Sequence, residues 1–181
     1  MVQTLELTAH PAFQPAQVKA VSVRWAKIDD RRLMLRFRVD GAGALVVPPF
    51  RGHGEADELW KTTCFELFLY DGEGRYRELN FSPSGQWAIY SFAGYRNRAG
   101  HAVLRDHPEI KHEQGSSVFV QTVFVDATIL LGAERAALAA VLEEEGGRPS
   151  YWAMAHNGLK PDFHDPFGFR LPLPLPERAG R

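Results

Sequence analysis

Short apolar runs, each closed by Gly, Pro, Asp or Asn, dominate this chain and favour strands and turns over long helices. Read as strands, these runs fall at 18–26, 32–39, 62–70, 76–82, 86–92, 118–125 and 151–156. Gly72 and Gly74 separate two of them, and Pro83 and Gly85 the next two, so 62–92 reads as a three-stranded antiparallel meander. No internal repeat, low-complexity segment or linker interrupts the pattern. The 181 residues read as one domain with a loose tail at 177–181.

The stretch 133–145 (AERAALAAVLEEE) would be a helix on propensity alone. Gly146-Gly147 and the strand-like residues after them argue for a hairpin instead, with Leu138, Ala140 and Leu142 turned inward. At 171–176 (LPLPLP) Pro alternates with Leu, and Pro cannot donate to a ladder, so this stretch reads as an edge or a polyproline-like strap.

Charge and composition exclude several classes of function. Lys and Arg number 21 against 22 Asp and Glu, a net charge of −1, which is not that of a polybasic nucleic-acid binder. No window approaches the roughly 18 apolar residues of a membrane span, and the opening MVQTLELTAHPAF lacks the basic-then-apolar run of a signal peptide, so a cytoplasmic location is expected. The single cysteine, Cys64, forms no internal disulfide and no thiolate cluster, and reads as a small core residue. The oligomeric state is not legible.

Alternation within the meander carries the chemistry. Cys64, Glu66, Phe68 and Tyr70 share one strand face. If 71–75 closes a hairpin with Tyr70 opposite Tyr76, Glu66 falls opposite Asn80, and Glu78 shares their face. A carboxylate and an amide side by side, with a Trp as a flat apolar platform, suit a sugar, whose ring has apolar faces and a rim of hydroxyls. Trp60, Trp87 and Trp152 are the candidate walls, while Trp25 lies in an apolar strand and reads as core. An extended chain would hold Trp60 roughly 20 Å from Glu66 at ~3.3 Å per residue, so both can serve one site only if 59–62 folds back. Alternatively, Glu66 is a structural carboxylate paired with Arg77, Arg96 or Arg98.

The segments DELWKTTCFELFLY (57–70), NFSPSGQWAIYSFAGYR (80–96), SYWAMAH (150–156) and KPDFHDPFGF (160–169) resemble the DOMON-like proteins related to family 9 carbohydrate-binding modules. The resemblance covers nearly the whole chain. It implies an all-β, jelly-roll-like sandwich of two antiparallel sheets, in a family whose members bind sugars or haem. Its sugar-binding members use a Trp followed six residues later by a Glu, a spacing that Trp60 and Glu66 match. By the same resemblance Asn80 is a polar strand residue of the site, Arg96 the basic residue that follows, and Trp152 a second wall. The chain shows neither the signal peptide nor the catalytic domain of the secreted modules, so a role in degrading extracellular polysaccharide is not expected.

The haem-binding members use Met and His ligands, for which Met34, Met154, His156 and His164 are available. Family 9 modules can carry structural calcium, but Asp57, Glu58, Asp71 and Glu73 form no ordered oxygen-ligand loop. His101, His107 and His112, near Asp106 and Glu109, read as a solvated loop, with a labile transition-metal site as the alternative. An enzyme acting on carbohydrate could use Glu66 with Glu78, or His164 between Asp162 and Asp165, although Pro161 and Pro166 make the latter segment a natural turn. No nucleophile elbow, P-loop, dinucleotide fingerprint or HExxH occurs. The expectation is a non-catalytic domain binding a small-molecule or saccharide ligand through Trp60, Glu66, Asn80, Trp87, Arg96, Trp152 and His164, with no nucleic acid, membrane or cofactor, and with haem binding or catalysis as the alternatives.

Overall fold

The computed structural model describes residues 2–100 and 103–174, so His101 and the tail 177–181 lie outside the described residues. Its strands are β1 Val2–Ala9, β2 Ala20–Lys27, β3 Arg32–Asp40, β4 Gly54–Glu55, β5 Cys64–Tyr70, β6 Tyr76–Phe81, β7 Gln86–Gly94, β8 Asn97–Gly100, β9 Glu109–Gln114, β10 Val118–Asp126, β11 Arg135–Glu144, β12 Arg148–Ala153 and β13 Leu171–Pro172. Short 3-10 turns at Ala42–Ala44, Leu59–Lys61, Ala127–Leu130 and Pro166–Gly168 complete the described secondary structure. No helix among the described residues is long and apolar enough to cross a membrane.

The protein is all-β, but the strands do not divide into the two antiparallel sheets expected. They form one curled 13-stranded sheet, ordered β4-β7-β6-β5-β11-β12-β1-β2-β3-β10-β9, with β8 and β13 on side branches. The first strand accounts for the continuity. Val2 to Leu7 pair with β2, then Thr8 and Ala9 pair with Ala153 and Trp152 of β12, so β1 joins the two halves. The sheet is also mixed, because β4 runs parallel to β7. Curling brings the halves face to face: Phe37 on β3, Phe65 on β5 and Phe119 on β10 meet, with ring centroids 4.8 and 5.9 Å from Phe65.

The two halves differ in how they treat their outer face. In β3 and β10 buried residues alternate with more exposed ones, the pattern of strands buried on one side. In β5 and β11 both faces are buried. Leu138, Ala140 and Leu142 join the interior core, whereas Ala137 and Ala139 join a second cluster on the outside, under Leu59, Phe163 and Phe169. The helix formers of 133–145 therefore make a strand, because β5 and β12 satisfy their backbone on both sides. At the meander's first hairpin Tyr70 pairs with Tyr76, and the Asp71 carboxylate accepts from the backbone N–H of Glu73 and Arg75. Asp71 is thus a turn residue. Of the proline-rich tail, Leu171 and Pro172 pair with β11 as an edge; residues 175 and 176 lie outside the described residues.

Candidate functional site

The site grows from the outer face of β5, β6, β7, β11 and β12. One row across these strands reads Ala153, Ala139, Glu66, Asn80, Ala88, and the next begins Ala137, Phe68, Glu78, Tyr90. Alanine on both sides of the Glu66–Asn80 pair leaves a depression that long side chains would fill. Residues 57–60 and 161–164 wall it, enclosing an open cavity of about 480 Å³.

Trp60 stands at the mouth, 48% exposed. It reaches the same cavity as Glu66 because Leu59–Lys61 is a 3-10 turn, in which the Thr62 N–H donates to the Leu59 carbonyl, rather than an extended lead-in to β5. Across from the strand floor, Phe163 and Tyr151 meet edge to face at 6.2 Å and line the cavity together. Two lining residues, Glu58 (φ 59°) and Arg96 (φ 53°), hold left-handed backbone conformations without being glycine. Such geometry concentrates at functional sites.

The floor is acidic and buried. Glu66 is 2% exposed, and its carboxyl has no hydrogen-bond partner among the described residues. Burial first, then the neighbouring Glu78 charge, push its carboxyl well above the usual range. Glu78 accepts from Asn80 Nδ2 at 3.0 Å, and its other oxygen lies 3.6 Å from His164 Nε2. Burial raises the Glu78 carboxyl to about 7. Asn80 Oδ1 is buried without a partner. Below them Cys64 keeps its proton, because burial pushes its thiol up.

His164 completes the network. Its Nδ1 is 2.8 Å from the Tyr76 hydroxyl, which accepts the Arg96 backbone N–H at 3.0 Å. With Tyr76 donating to Nδ1, the imidazole proton sits on Nε2 and faces Glu78. Burial, followed by the Arg96 charge, holds His164 down at about 4, so it is neutral at neutral pH.

These shifts have opposite consequences for stability. Glu78, raised from 4.5 to about 7, contributes fully below pH 4.5 and loses that contribution as pH rises through about 7. His164, lowered from 6.5 to about 4, contributes fully above pH 6.5 and loses that contribution as pH falls through about 4. Over the shared window the two oppose each other. Glu78→Gln removes one side, so the variant is expected to lose more stability than the wild type on acidification through this window, by up to ~2 kcal/mol. Urea unfolding across a pH series measures it, and parallel wild-type and variant curves would contradict the assignment.

Of the residues expected from the sequence, Trp60, Glu66, Arg96 and His164 converge on the cavity. Asn80 sits fully buried, touching Glu78 rather than lining the opening. Trp87 and Trp152, expected as walls, face the interior core at 4% and 5% exposure. Trp152 Nε1 donates to Ser150 Oγ at 2.9 Å, and the Trp87 ring lies 5.4 Å from His107. Strand parity is the reason: Trp152 turns inward, so its neighbour Tyr151 takes the wall. None of the arginines offered as partners binds Glu66. Arg96 pairs with Asp162 at 2.8 Å, Arg98 lies 3.8 Å from Asp57 and stacks on Tyr90, and Arg77 donates to the Leu131 carbonyl.

Four groups were offered as haem ligands, and of these His164 alone lines the cavity. His156 Nε2 lies 2.8 Å from the Thr8 carbonyl, Met154 packs on the core, and Met34 is on β3 in the other half. Asp162 and Asp165 accept from the backbone N–H of His164 and Phe167, the behaviour of turn residues. Among the described residues no three His, Cys, Asp or Glu side chains are grouped to hold a metal ion. The sequence reading missed Tyr90, Asp57, Arg98 and Phe163 as lining residues. Tyr90 was within reach, since the meander's register sets it opposite Glu78.

No family model and no curated protein matches the sequence. Solved structures match in shape. One from Bacteroides uniformis ATCC 8492, described as a carbohydrate-binding protein, superimposes with a TM-score of 0.62 at 18% identity over 93% of this chain and 84% of that one. A family 9 carbohydrate-binding module from Caldicellulosiruptor kristjanssonii, seen with cellotriose and with glucose, gives TM-scores of 0.47 and 0.46 at 11% identity. These cover 83% and 78% of this chain and 72% and 69% of the module. The structural neighbours are thus carbohydrate-binding proteins, and at these identities what the chain shares with the Bacteroides protein is the fold.

Proposed function

We propose that the protein binds a saccharide or a sugar-containing metabolite without transforming it. The observation that carries this reading is the convergence, on one open cavity of about 480 Å³, of an exposed Trp60, the Tyr151–Phe163 wall and the buried carboxyls of Glu66 and Glu78. Aromatic walls take the apolar faces of a sugar ring, and the floor takes its polar rim. Membership of the DOMON-like group belongs to the same proposal. Glycoside hydrolysis sets one carboxyl on each side of the scissile bond, whereas Glu66 and Glu78 lie on adjacent strands of one floor. Binding without turnover is the reading this arrangement supports.

The test is titration calorimetry against a panel of mono- and disaccharides, repeated with Trp60→Ala. Loss of an exposed stacking platform is expected to weaken the best ligand about 30-fold, equivalent to ~2 kcal/mol. Because Trp60 is half exposed, folding stability should change by less than about 0.5 kcal/mol. A variant that binds as the wild type does would remove Trp60 from the site, and silence across the panel would overturn the function.

A further inference from the structure

We propose that the cavity floor receives a primary ammonium group, so that the ligand is an amino-bearing saccharide rather than a neutral one; the inference rests on the saccharide reading above. The floor is rich in acceptors that nothing serves. Glu66 is more than nine-tenths buried and lines the cavity, and its carboxyl has no hydrogen-bond partner among the described residues. Asn80 Oδ1 beside it is buried and unpartnered. One Asn80 Nδ2 proton is already given to Glu78, and the His164 Nε2 proton also faces Glu78. An ammonium brings three donors and no acceptor, so it can serve Asn80 Oδ1 and both oxygens of an ionised Glu66 at once, whereas a single sugar hydroxyl brings one donor.

Charge points the same way. Of the four carboxyls that line the cavity, Glu58 pairs with Lys61 at 2.8 Å and Asp57 faces Arg98, whereas Glu66 and Glu78 on the floor have no Lys or Arg within ion-pair distance among the described residues. The lining guanidiniums already face acids, Arg96 at 2.8 Å from Asp162 and Arg98 at 3.8 Å from Asp57. The remaining titratable groups around Glu66 carry no positive charge at neutral pH: Cys64 on its own strand, Tyr76 on β6, Tyr90 on β7, Tyr151 on β12 and His164 on the loop. Burial keeps the proton on the Glu66 carboxyl, while Glu78 titrates at about 7. An arriving ammonium supplies the missing counter-charge, and a carboxyl proton passes to solvent.

Calorimetry on the wild-type protein tests this with glucosamine, galactosamine, mannosamine and sugars aminated at the primary carbon, each beside its neutral parent and its N-acetyl form. At least one amine should bind about tenfold tighter than its parent, a gain of ~1.4 kcal/mol. Acetylation should abolish the gain, and the heat should depend on the buffer's ionisation enthalpy because a proton is released. Glu66→Gln, which keeps the shape, should remove the gain, so that the amine and its neutral parent bind alike. Neutral parents that bind as tightly as every amine overturn the ammonium and leave the saccharide reading standing. Silence from amines and parents alike overturns the saccharide reading itself.

Discussion

Glu144→Ala is expected to lower the unfolding free energy by about 4 kcal/mol and the melting temperature by roughly 10 °C. Glu144 lies near the end of β11 and is 1% exposed. Its carboxylate accepts three backbone N–H groups from a distant part of the chain, at 2.6 Å from Ala16, 2.6 Å from Gln17 and 3.1 Å from Val18. These donors precede β2, and truncation would leave the N–H of the buried Val18 without its acceptor and release Ala16 and Gln17 from their anchor. The same segment has little room to move elsewhere. A Cβ on Gly41, which sits at φ +79°, would come within 2.2 Å of the Gln17 carbonyl oxygen. Glu144→Gln keeps one good acceptor and should cost about half as much. Urea and thermal unfolding measure both variants; a loss below about 1 kcal/mol for the alanine would mean that residues 16–18 are anchored by other contacts.

Phe65→Ala should be comparably severe, at about 4 kcal/mol, but for a different reason. Its ring is fully buried between Phe37 and Phe119 and so joins the two halves of the curled sheet. Truncation leaves a cavity at the closure itself, where backbone pairing on either side prevents collapse. Phe65→Leu fills most of that volume and should cost less than about 2 kcal/mol. Denaturant midpoints for the pair decide it, because equal losses for leucine and alanine would assign the effect to ring geometry rather than to the cavity. Phe65 and Glu66 are adjacent in sequence, yet Glu66→Gln should leave the core untouched, since the two side chains point to opposite faces.

Much of the meander was legible in the sequence. The pairing of Tyr70 with Tyr76, and hence of Glu66 with Asn80, follows from a five-residue loop and strict alternation. The strand at 133–145 was legible against its helix propensity through Gly146-Gly147, which turn the chain at φ 84° and 70°. The first strand was not. Thr4, Glu6 and Thr8 face outward with the exposed Val2, and Leu7 is its one buried side chain, so the apolar signal is weak. Missing β1 meant missing what makes the sheet continuous, while the expectation of two separate antiparallel sheets came with the family resemblance.

The residues of 57–96 by themselves determine which groups share a face: Glu66, Glu78 and Asn80 on one side, Phe65, Leu67 and Leu79 on the other. Period-two geometry is local, so sequence suffices for it. Which face meets a loop and which meets the other half of the sheet is not local. Trp152 and Tyr151 are equally aromatic, and only the pairing of Trp152 with Ala140 and Ala9 turns the larger ring inward and the smaller one onto the cavity. The acidity of the floor was likewise decided by the tertiary structure. A carboxyl's proton affinity depends on what surrounds it, and the apolar cover over Glu66 comes from segments far apart in the chain.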